Sequence, residues 1–563
     1  MKRLLKNGTV VNVFTDELIN ANVLIDGERI IGVGDYSDAD ADIVEDVSGK
    51  YICPGLIDGH IHIESTMLTP CELSKLCAIN GTTSIIADPH EIANVCGADG
   101  IKYMLEASEG LPVSVYVVLP SCVPASGFDE SGAILEAEDL RELYAHPRVV
   151  GLGEMMNYPG VLFGDEKVMS KISDGLKLCG LVNGHAPLLS GKALDKYISA
   201  GIYDDHECSS VDEAKERIRK GQAVMIRRGS AARNLADLLP LFDEPWNRRC
   251  MLVTDDYHPH DLLTKGHINS IIREAVESGR SALVGIRMSS LQAARHFGLD
   301  GVGAIAPGYI ADIAVFDDLK ELKAFAVYKA GKKVVEDYNV LDFTAPLVSS
   351  EISRSVLGSF KLNELTEDSF TVKPQGSRCR VIKVSAGTLL TDELDTELDF
   401  SKDNGIDVSR DILKLAVVER YGNSGNIGLG YINGIGLKKG AIASSVSHDS
   451  HNLIVVGAST EDMVIAANRI NQLGGGCIVV ADGEIICEMP LPIGGLMTDA
   501  VATVAAKQNH NLDLAVAELG VAEGINPFMN MSFVALPVIP HLKMTTLGLV
   551  DVDNQKKLPL FLD

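Results

Sequence analysis

Apolar runs of four to eight residues recur between positions 55 and 256, and segments of helical length with mixed polar and apolar positions separate them. Runs without alternation are typical of strands that are buried on both faces, as in a parallel sheet covered by helices. Eight such runs alternate with helical segments, and eight is the number that closes a TIM-type (β/α)8 barrel. An open, doubly wound α/β sheet is the alternative that this pattern leaves. The runs are GLID (55–58), TTSIIAD (82–88), VSVYVVLP (113–120), VVGLGE (149–154), GLVNGH (180–185), GIYDDH (201–206), QAVMIRR (222–228) and CMLVTDD (250–256).

Two helical segments of this region carry end signals. SKLCAIN stops before Gly81, and VDEAKERIRK stops before Gly221. A glycine directly after a helical pattern is a frequent helix terminator, because it adopts the left-handed conformation without strain. These endings support a repeating strand and helix unit.

Shorter apolar runs with glycine turns predict β-hairpins outside the barrel region. In VLIDGERIIGVG, Asp26-Gly27 separates two apolar runs, and in CIVVADGEIICEM, Asp482-Gly483 does the same. Asp-Gly between two such runs is a strong hairpin signal. Short apolar runs also return after residue 305 in PGYIADIAVFDD and AFAVYKAGKKVVE.

The two flanks of the barrel therefore predict one small β domain, and the end of the chain predicts a separate α/β domain. A chain of 563 residues is too long for a single core. The predicted division is 1–50 and 305–345 for the small β domain, 51–304 for the barrel, and 346–563 for the C-terminal α/β domain.

The net charge and the cysteine content indicate which binding partners and which cellular compartment to expect. The chain has 50 Lys plus Arg against 77 Asp plus Glu, a formal charge of -27 that repels nucleic acid and anionic membranes. Neither is an expected partner, and no apolar stretch reaches the roughly 18 residues of a membrane span. Eleven cysteines without a CxxC pair do not read as a disulfide framework, so we expect a cytoplasmic protein.

Imidazoles and carboxylates follow the predicted barrel strands. His60 and His62 in GHIHIEST point to one face, because strand side chains alternate. The carboxyl ends of barrel strands meet at the face where active sites are built. Imidazole and carboxylate suit divalent transition metals, so the set predicts a site for two ions. The residues at the other strand ends are Asp88, His90, Glu154, His185, His206, Glu207, Asp255 and Asp256.

Longer strings around these residues resemble a known family. In the barrel region they are PGLIDGHIHIESTMLTP, ADPHEIANVCG, GLGEMMNYPGV, NGHAP, DDHE and TDD; later they are SVSHDSHNLIVVG, LPLPIGGLM and NPFMNMSFVALPVIP. Together they resemble the adenine deaminase family of the amidohydrolase superfamily over nearly the whole chain. The cytidine deaminase pattern of HxE followed by PCxxC does not fit, because Cys77 lies six positions after Cys71.

The resemblance implies hydrolytic deamination of adenine to hypoxanthine and ammonia in purine salvage, with a metal-activated hydroxide attacking C6. The implied cofactors are two divalent ions, Mn²⁺ or Fe²⁺, with Zn²⁺ also open, and we expect a homodimer with adenine as its small-molecule substrate. One alternative is another binuclear amidohydrolase acting on a cyclic amide or a different aminopurine. A catalytically silent metal-binding scaffold is the other.

The same resemblance implies roles for individual residues. The implied metal ligands are His60 and His62 for the first ion, Glu154 as the bridge, His185 and His206 for the second ion, and Asp255. Asp255 is also the expected base, with Asp256 as the competing candidate, and Glu207 is the expected proton donor to N1 of adenine.

Other matches leave alternatives open. Asp88, His90 and Glu91 are candidates for an auxiliary metal or substrate site, and a hydrogen-bonded loop is the alternative. Arg228 stands where an acidic residue is expected. Whether the segment 448–451, His-Asp-Ser-His, reaches the pocket or forms only a polar turn is open.

Overall fold

The computed structural model describes residues 1–230, 233–522 and 524–562, and its chain forms two compact units. The first unit comprises Met1–Pro89, Met104–Ser121 and Ala137–Leu347. The second comprises His90–Tyr103, Cys122–Glu136 and Val348–Asp563. Two segments from the predicted barrel region thus group with the second unit, which the sequence does not indicate.

The first unit contains the predicted barrel. Strands β8 to β12 form one parallel sheet, and β13 to β15 form another. The backbone N–H of Asp255 donates to the carbonyl of His60 at 2.9 Å, and His62 N–H donates back to Asp255 at 3.4 Å, which joins the eighth strand to the first. The barrel prediction is confirmed. Its strands are β8 (Leu56–Ile61), β9 (Thr82–Ala87), β10 (Ser114–Leu119), β11 (Val149–Met155), β12 (Val182–Gly184), β13 (Asp204–Asp205), β14 (Ala223–Arg227) and β15 (Cys250–Val253).

Burial and capping explain these elements. Every residue of β8, β9, β14 and β15 is buried, which accounts for apolar runs without alternation. The first barrel helix begins after Thr69, whose hydroxyl accepts from Glu72 N–H, and Pro70 occupies its first turn. Gly81 and Gly221 adopt φ of 82° and 98° just beyond their helices, as the sequence predicts.

The flanks of the barrel form the small β region of the first unit. A seven-stranded sheet has the order β19-β18-β17-β16-β7-β2-β3, and a four-stranded sheet has the order β5-β4-β1-β6. Strand β16 pairs antiparallel with β7, so segments from both sides of the barrel share one sheet. The strands are β1 (Lys2–Lys6), β2 (Thr9–Asn12), β3 (Glu17–Asn20), β4 (Asn22–Asp26), β5 (Arg29–Gly34), β6 (Ile43–Asp46), β7 (Tyr51–Pro54), β16 (Ile313–Phe316), β17 (Ala324–Lys329), β18 (Lys332–Glu336) and β19 (Asn339–Val340).

The second unit is built on an eight-stranded, largely antiparallel sheet of order β21-β20-β23-β22-β25-β24-β26-β27. Asp482 and Gly483 join β26 to β27 with φ of 55° and 78°, which matches the predicted hairpin turn. The strands of this sheet are β20 (Arg378–Lys383), β21 (Asp392–Glu397), β22 (Ile412–Val418), β23 (Ile427–Asn433), β24 (Ala441–Ser444), β25 (Leu453–Gly457), β26 (Gly476–Ala481) and β27 (Glu484–Pro490). A separate three-stranded sheet consists of β28 (Leu542–Thr545), β29 (Gly548–Asp551) and β30 (Lys556–Leu558).

No helix in the described part of the chain has the length and apolar character needed to cross a bilayer. The helices are α1 (Pro70–Ile79), α2 (His90–Cys96), α3 (Ala98–Glu106), α4 (Ala137–Leu140), α5 (Tyr158–Phe163), α6 (Glu166–Leu178), α7 (Gly191–Ser199), α8 (Val211–Arg219), α9 (Leu235–Leu238), α10 (Pro259–Lys265), α11 (Ile268–Glu277), α12 (Ala282–Arg287), α13 (Ala293–His296), α14 (Ser350–Leu357), α15 (Thr460–Leu473), α16 (Ala502–Glu518) and α17 (Pro527–Val534).

Candidate active site

The carboxyl ends of the barrel strands bring the predicted imidazoles and acids into one buried cluster. The alternation of strand side chains and the shared edge of the barrel account for this convergence of residues from distant positions. His60 lies in β8 and Glu154 in β11, and the others follow the ends of their strands. The cluster consists of His60, His62, Glu154, His185, His206, Glu207 and Asp255.

Glu154 lies at the centre of the cluster. Its Oε1 is 3.4 Å from His62 Nε2. Its Oε2 is 2.7 Å from His185 Nδ1 and 3.0 Å from His206 Nε2. Each oxygen of one carboxylate therefore faces a different set of histidines, which is the arrangement that a carboxylate bridging two cations requires.

Asp255 lies against the first pair of histidines. Its Oδ1 is 3.1 Å from His62 Nε2 and 3.7 Å from His60 Nε2. Its backbone is left-handed, with φ of 63°, a conformation that non-glycine residues hold at a cost and that concentrates at functional sites. Asp256 instead accepts a hydrogen bond from Ser65 Oγ at 2.6 Å.

Arg227, at the end of β14, is a member of the cluster that the sequence did not single out. Its Nη1 is 2.5 Å from Glu207 Oε1 and 2.6 Å from Asp255 Oδ2. The neighbouring Arg228 pairs with Glu274 at 2.8 Å. The doubled arginine at the strand end was the available signal, since alternation directs one of the two inward.

The charges in the cluster hold its acids ionised. Burial raises the pKa of Glu207, but Arg227 and the neighbouring histidines outweigh burial and keep that pKa well below its usual range. Burial likewise opposes ionisation of Asp255, and Arg227 and His62 again lower its pKa well below the ordinary value. A carboxylate with a low pKa is available as a metal ligand or a proton acceptor at neutral pH.

The donor set fits divalent cations. His60 Nε2 is buried and has no hydrogen-bond partner among the described residues, as expected for a nitrogen kept for a metal. Three groups of ligand atoms within this cluster lie within 4.8 Å of one another: those of His60, His62 and Asp255, those of His60, Glu154 and His206, and those of His185, His206 and Glu207. Imidazole nitrogen with carboxylate oxygen suits Mn, Fe and Zn.

Asp88 forms hydrogen bonds with two members of this cluster. Its backbone carbonyl lies 3.0 Å from His62 Nδ1, so Nδ1–H donates to it and Nε2 is left to face the acids. Its carboxylate accepts the backbone N–H of Glu154 at 2.9 Å. Asp88 therefore orients both a candidate ligand and the candidate bridge.

The other residues of the predicted auxiliary site, His90 and Glu91, belong to the second unit. There Glu91 Oε1 lies 3.1 Å from Nδ1 of His448. The His-Asp-Ser-His segment thus contacts part of the DPHE string within that unit.

Comparison with known proteins identifies the family. The amidohydrolase family model matches residues 51–342, and the adenine deaminase C-terminal domain model matches residues 388–556. "Adenine deaminase 2" of Carboxydothermus hydrogenoformans is 45% identical over 99% of this chain and 97% of its own length. The chain belongs to the adenine deaminase family.

Further members of the adenine deaminase family show similar coverage. The adenine deaminase of Clostridium acetobutylicum is 44% identical over 98% of this chain and 96% of its own length. Among solved structures, dihydropyrimidinase from Brevibacillus agri is 20% identical with a TM-score of 0.48, covering 61% of this chain and 96% of that one. Family membership makes this chain a hydrolase of the amidohydrolase type.

Proposed function

We propose that this protein deaminates adenine to hypoxanthine and ammonia at the carboxyl end of its barrel. The central support is Glu154, whose two oxygens face separate histidine sets, with Asp255 beside the first set. The names of the full-length relatives support adenine as the substrate.

We assign two divalent ions to this cluster. His60 and His62 would hold the first, His185 and His206 the second, Glu154 would bridge them, and Asp255 would complete the first set. Mn²⁺ or Fe²⁺ is our preferred identity, and Zn²⁺ is compatible with the same donors. Bound there, such ions would lower the pKa of a water towards about 7 and so supply a nucleophile at neutral pH.

The residues of the chain would move the protons. Water adds through its oxygen to C6 of adenine, and Asp255 accepts the proton that is released. Glu207 is assigned to deliver a proton to N1. The proton left on the new C6 hydroxyl passes to the exocyclic nitrogen, the C6–N6 bond breaks, and ammonia leaves hypoxanthine with a carbonyl at C6 and hydrogen at N1.

Arg227 organises the two acids in this scheme. Its guanidinium contacts both Glu207 and Asp255, so it holds them on one side of the pocket. Because it also keeps Glu207 ionised at rest, Glu207 would receive its proton during the reaction, from the attacking water through Asp255, and not carry one in beforehand. General acid and base assistance of this kind contributes about 10² to 10⁴ in rate.

We also infer a cytoplasmic homodimer that acts in purine salvage and adenine catabolism. All eleven cysteines are free thiols, several of them fully buried, which suits a reducing compartment. Light scattering of the purified protein tests the dimer.

The decisive assay follows adenine directly. Protein purified with Mn²⁺ and incubated with adenine should change the ultraviolet absorbance as hypoxanthine forms and release one ammonia per adenine. A cyclic amide and a second aminopurine serve as parallel substrates. Turnover of either one without turnover of adenine would refute the assignment and favour another binuclear amidohydrolase.

A further inference from the structure

A second group of buried imidazoles and carboxylates lies in the second unit. His90 and Glu91 begin α2, and His448, Asp449 and His451 lie in the loop that joins β24 to β25. These five residues are at most 8% exposed. The loop brings residues separated by more than 350 positions together in one buried cluster.

The spacing in this group is that of metal ligands. Glu91 Oε1 and His448 Nδ1 are 3.1 Å apart, and the ligand atoms of Glu91, His448 and His451 all lie within 4.8 Å of one another. Asp449 Oδ1 lies 3.8 Å from His90 Nε2 beside them. Two imidazoles with one carboxylate are a common donor set for divalent transition metals.

His451 provides an independent indication. Its side chain is fully buried, and Nε2 has no hydrogen-bond partner among the described residues. Ser447 N–H donates to Nδ1 at 3.2 Å, which orients the ring. Binding a cation at Nε2 would move the ring proton to Nδ1 and lose this long contact, a loss that coordination readily exceeds.

The charge of the pocket favours a cation. Glu91 and Asp449 are both nearly inaccessible to water, and buried carboxylates are costly unless positive charge or hydrogen bonds compensate them. Arg420 lies nearby, but its guanidinium donates to the carbonyl oxygens of His451 and Gly494.

Packing fixes the second imidazole. The ring of His448 stacks on Phe533 with centroids 4.5 Å apart and planes inclined by 17°. Phe533 belongs to α17, so one helix holds the ring from behind while Glu91 lies at Nδ1. A ligand ring held in place loses little entropy when it binds an ion.

We propose that Glu91, His448 and His451 bind one divalent transition-metal ion, with His90 and Asp449 beside them. This ion is additional to those assigned to the barrel and belongs to the second unit alone. The proposal does not depend on the reaction proposed above.

Metal counting on the full-length protein tests this proposal. The protein is stripped with a chelator, dialysed against Mn²⁺ and then against Zn²⁺, and analysed for ions per chain. We expect His448→Ala and Glu91→Gln each to hold one ion fewer than the wild type. His541→Ala removes an exposed imidazole of the same unit and should leave the count unchanged.

The outcomes separate this proposal from the barrel assignment. Glu154→Gln should change only the barrel ions, so combining it with His448→Ala should lower the count further. If the barrel bound no metal, the wild type would hold a single ion that His448→Ala removes. Equal counts in the wild type, Glu91→Gln and His451→Gln, all with native circular dichroism, would overturn the third site. The two glutamine variants keep side-chain volume close to native, and they decide the question if the alanine variant fails to fold.

Discussion

Replacing Glu154 with glutamine tests the proposed bridge at its centre. Glutamine keeps the shape of the side chain but offers one oxygen and one NH₂ group. In either orientation, the NH₂ group must face His62 on one side or His185 and His206 on the other, at the 2.7 to 3.4 Å separations observed. One of the two proposed ions would therefore lose its carboxylate oxygen and meet a donor that cannot bind it.

The expected size of the effect follows from the ligand's place in the cluster. Loss of a partner behind a metal ligand commonly weakens binding by 10- to 100-fold, and loss of the ligand itself should exceed that. We expect one ion to bind at least about 100-fold more weakly, or about 2.7 kcal/mol. Turnover of adenine should fall by a similar factor or more, because in the proposed scheme the ions would supply the nucleophile.

The assay is metal titration of the chelated variant with ammonia release measured on the same samples. Glu277→Gln makes the same chemical change at an exposed position of the first unit and should match the wild type. A Glu154→Gln protein that binds two barrel ions with unchanged affinity would show that Glu154 does not bridge them.

Three further changes probe the pocket and the second unit. Asp255→Asn should lower kcat by about 10² to 10⁴ while metal content falls less, and Asp256→Asn should stay near wild type; the reverse order in a deamination assay would exchange their roles. Arg227→Met removes the guanidinium from Glu207 and Asp255 and leaves them with their histidine neighbours, so it should lower the free energy of unfolding by up to about 3 to 5 kcal/mol in urea denaturation; an unchanged free energy of unfolding would show that these contacts do not stabilise the fold. Burial lowers the pKa of Lys543 from 10.5 to about 7, so above pH 7 this residue binds more protons in the unfolded chain than in the folded protein. The free energy of unfolding should therefore rise between pH 7 and 10, by up to about 1.4 kcal/mol per pH unit. Urea midpoints of Lys543→Met should lack that rise, and a pH dependence equal to wild type would exclude Lys543 as its source.

The pattern of the chain was sufficient for the barrel because buried strands and capped helices are local features. The same pattern predicted where the eight strands end, and therefore that His60, Glu154 and Asp255 lie at the carboxyl end of the barrel. The same reasoning could not choose between Arg227 and Arg228, because strand alternation assigns inward positions only once the register is known. The contacts of Arg227 with Glu207 and Asp255, and of Arg228 with Glu274, show which of the two points inward.

The sequence could not predict which distant segments pack together in one unit. The DPHE string reads as one motif, yet Asp88 supports Glu154 in the first unit while Glu91 lies against His448 in the second. Contacts between positions so far apart depend on the packing of whole elements, which no local period records. A motif's residues therefore need not share one role.

The seam between the first and eighth strands explains how Asp255 holds its strained position. The buried carboxylate of Asp58 accepts the N–H of His60 at 3.2 Å and the N–H of Thr254 at 3.1 Å, and the hydroxyl of Thr254 also donates to it. On its far side it lies 3.0 Å from His267 Nε2, a fully buried imidazole. One carboxylate thus ties the residue before Asp255 to the strand that carries His60. A left-handed backbone persists only where its surroundings over-determine it, and this network supplies that constraint, so the candidate base and the first candidate ligand are positioned together.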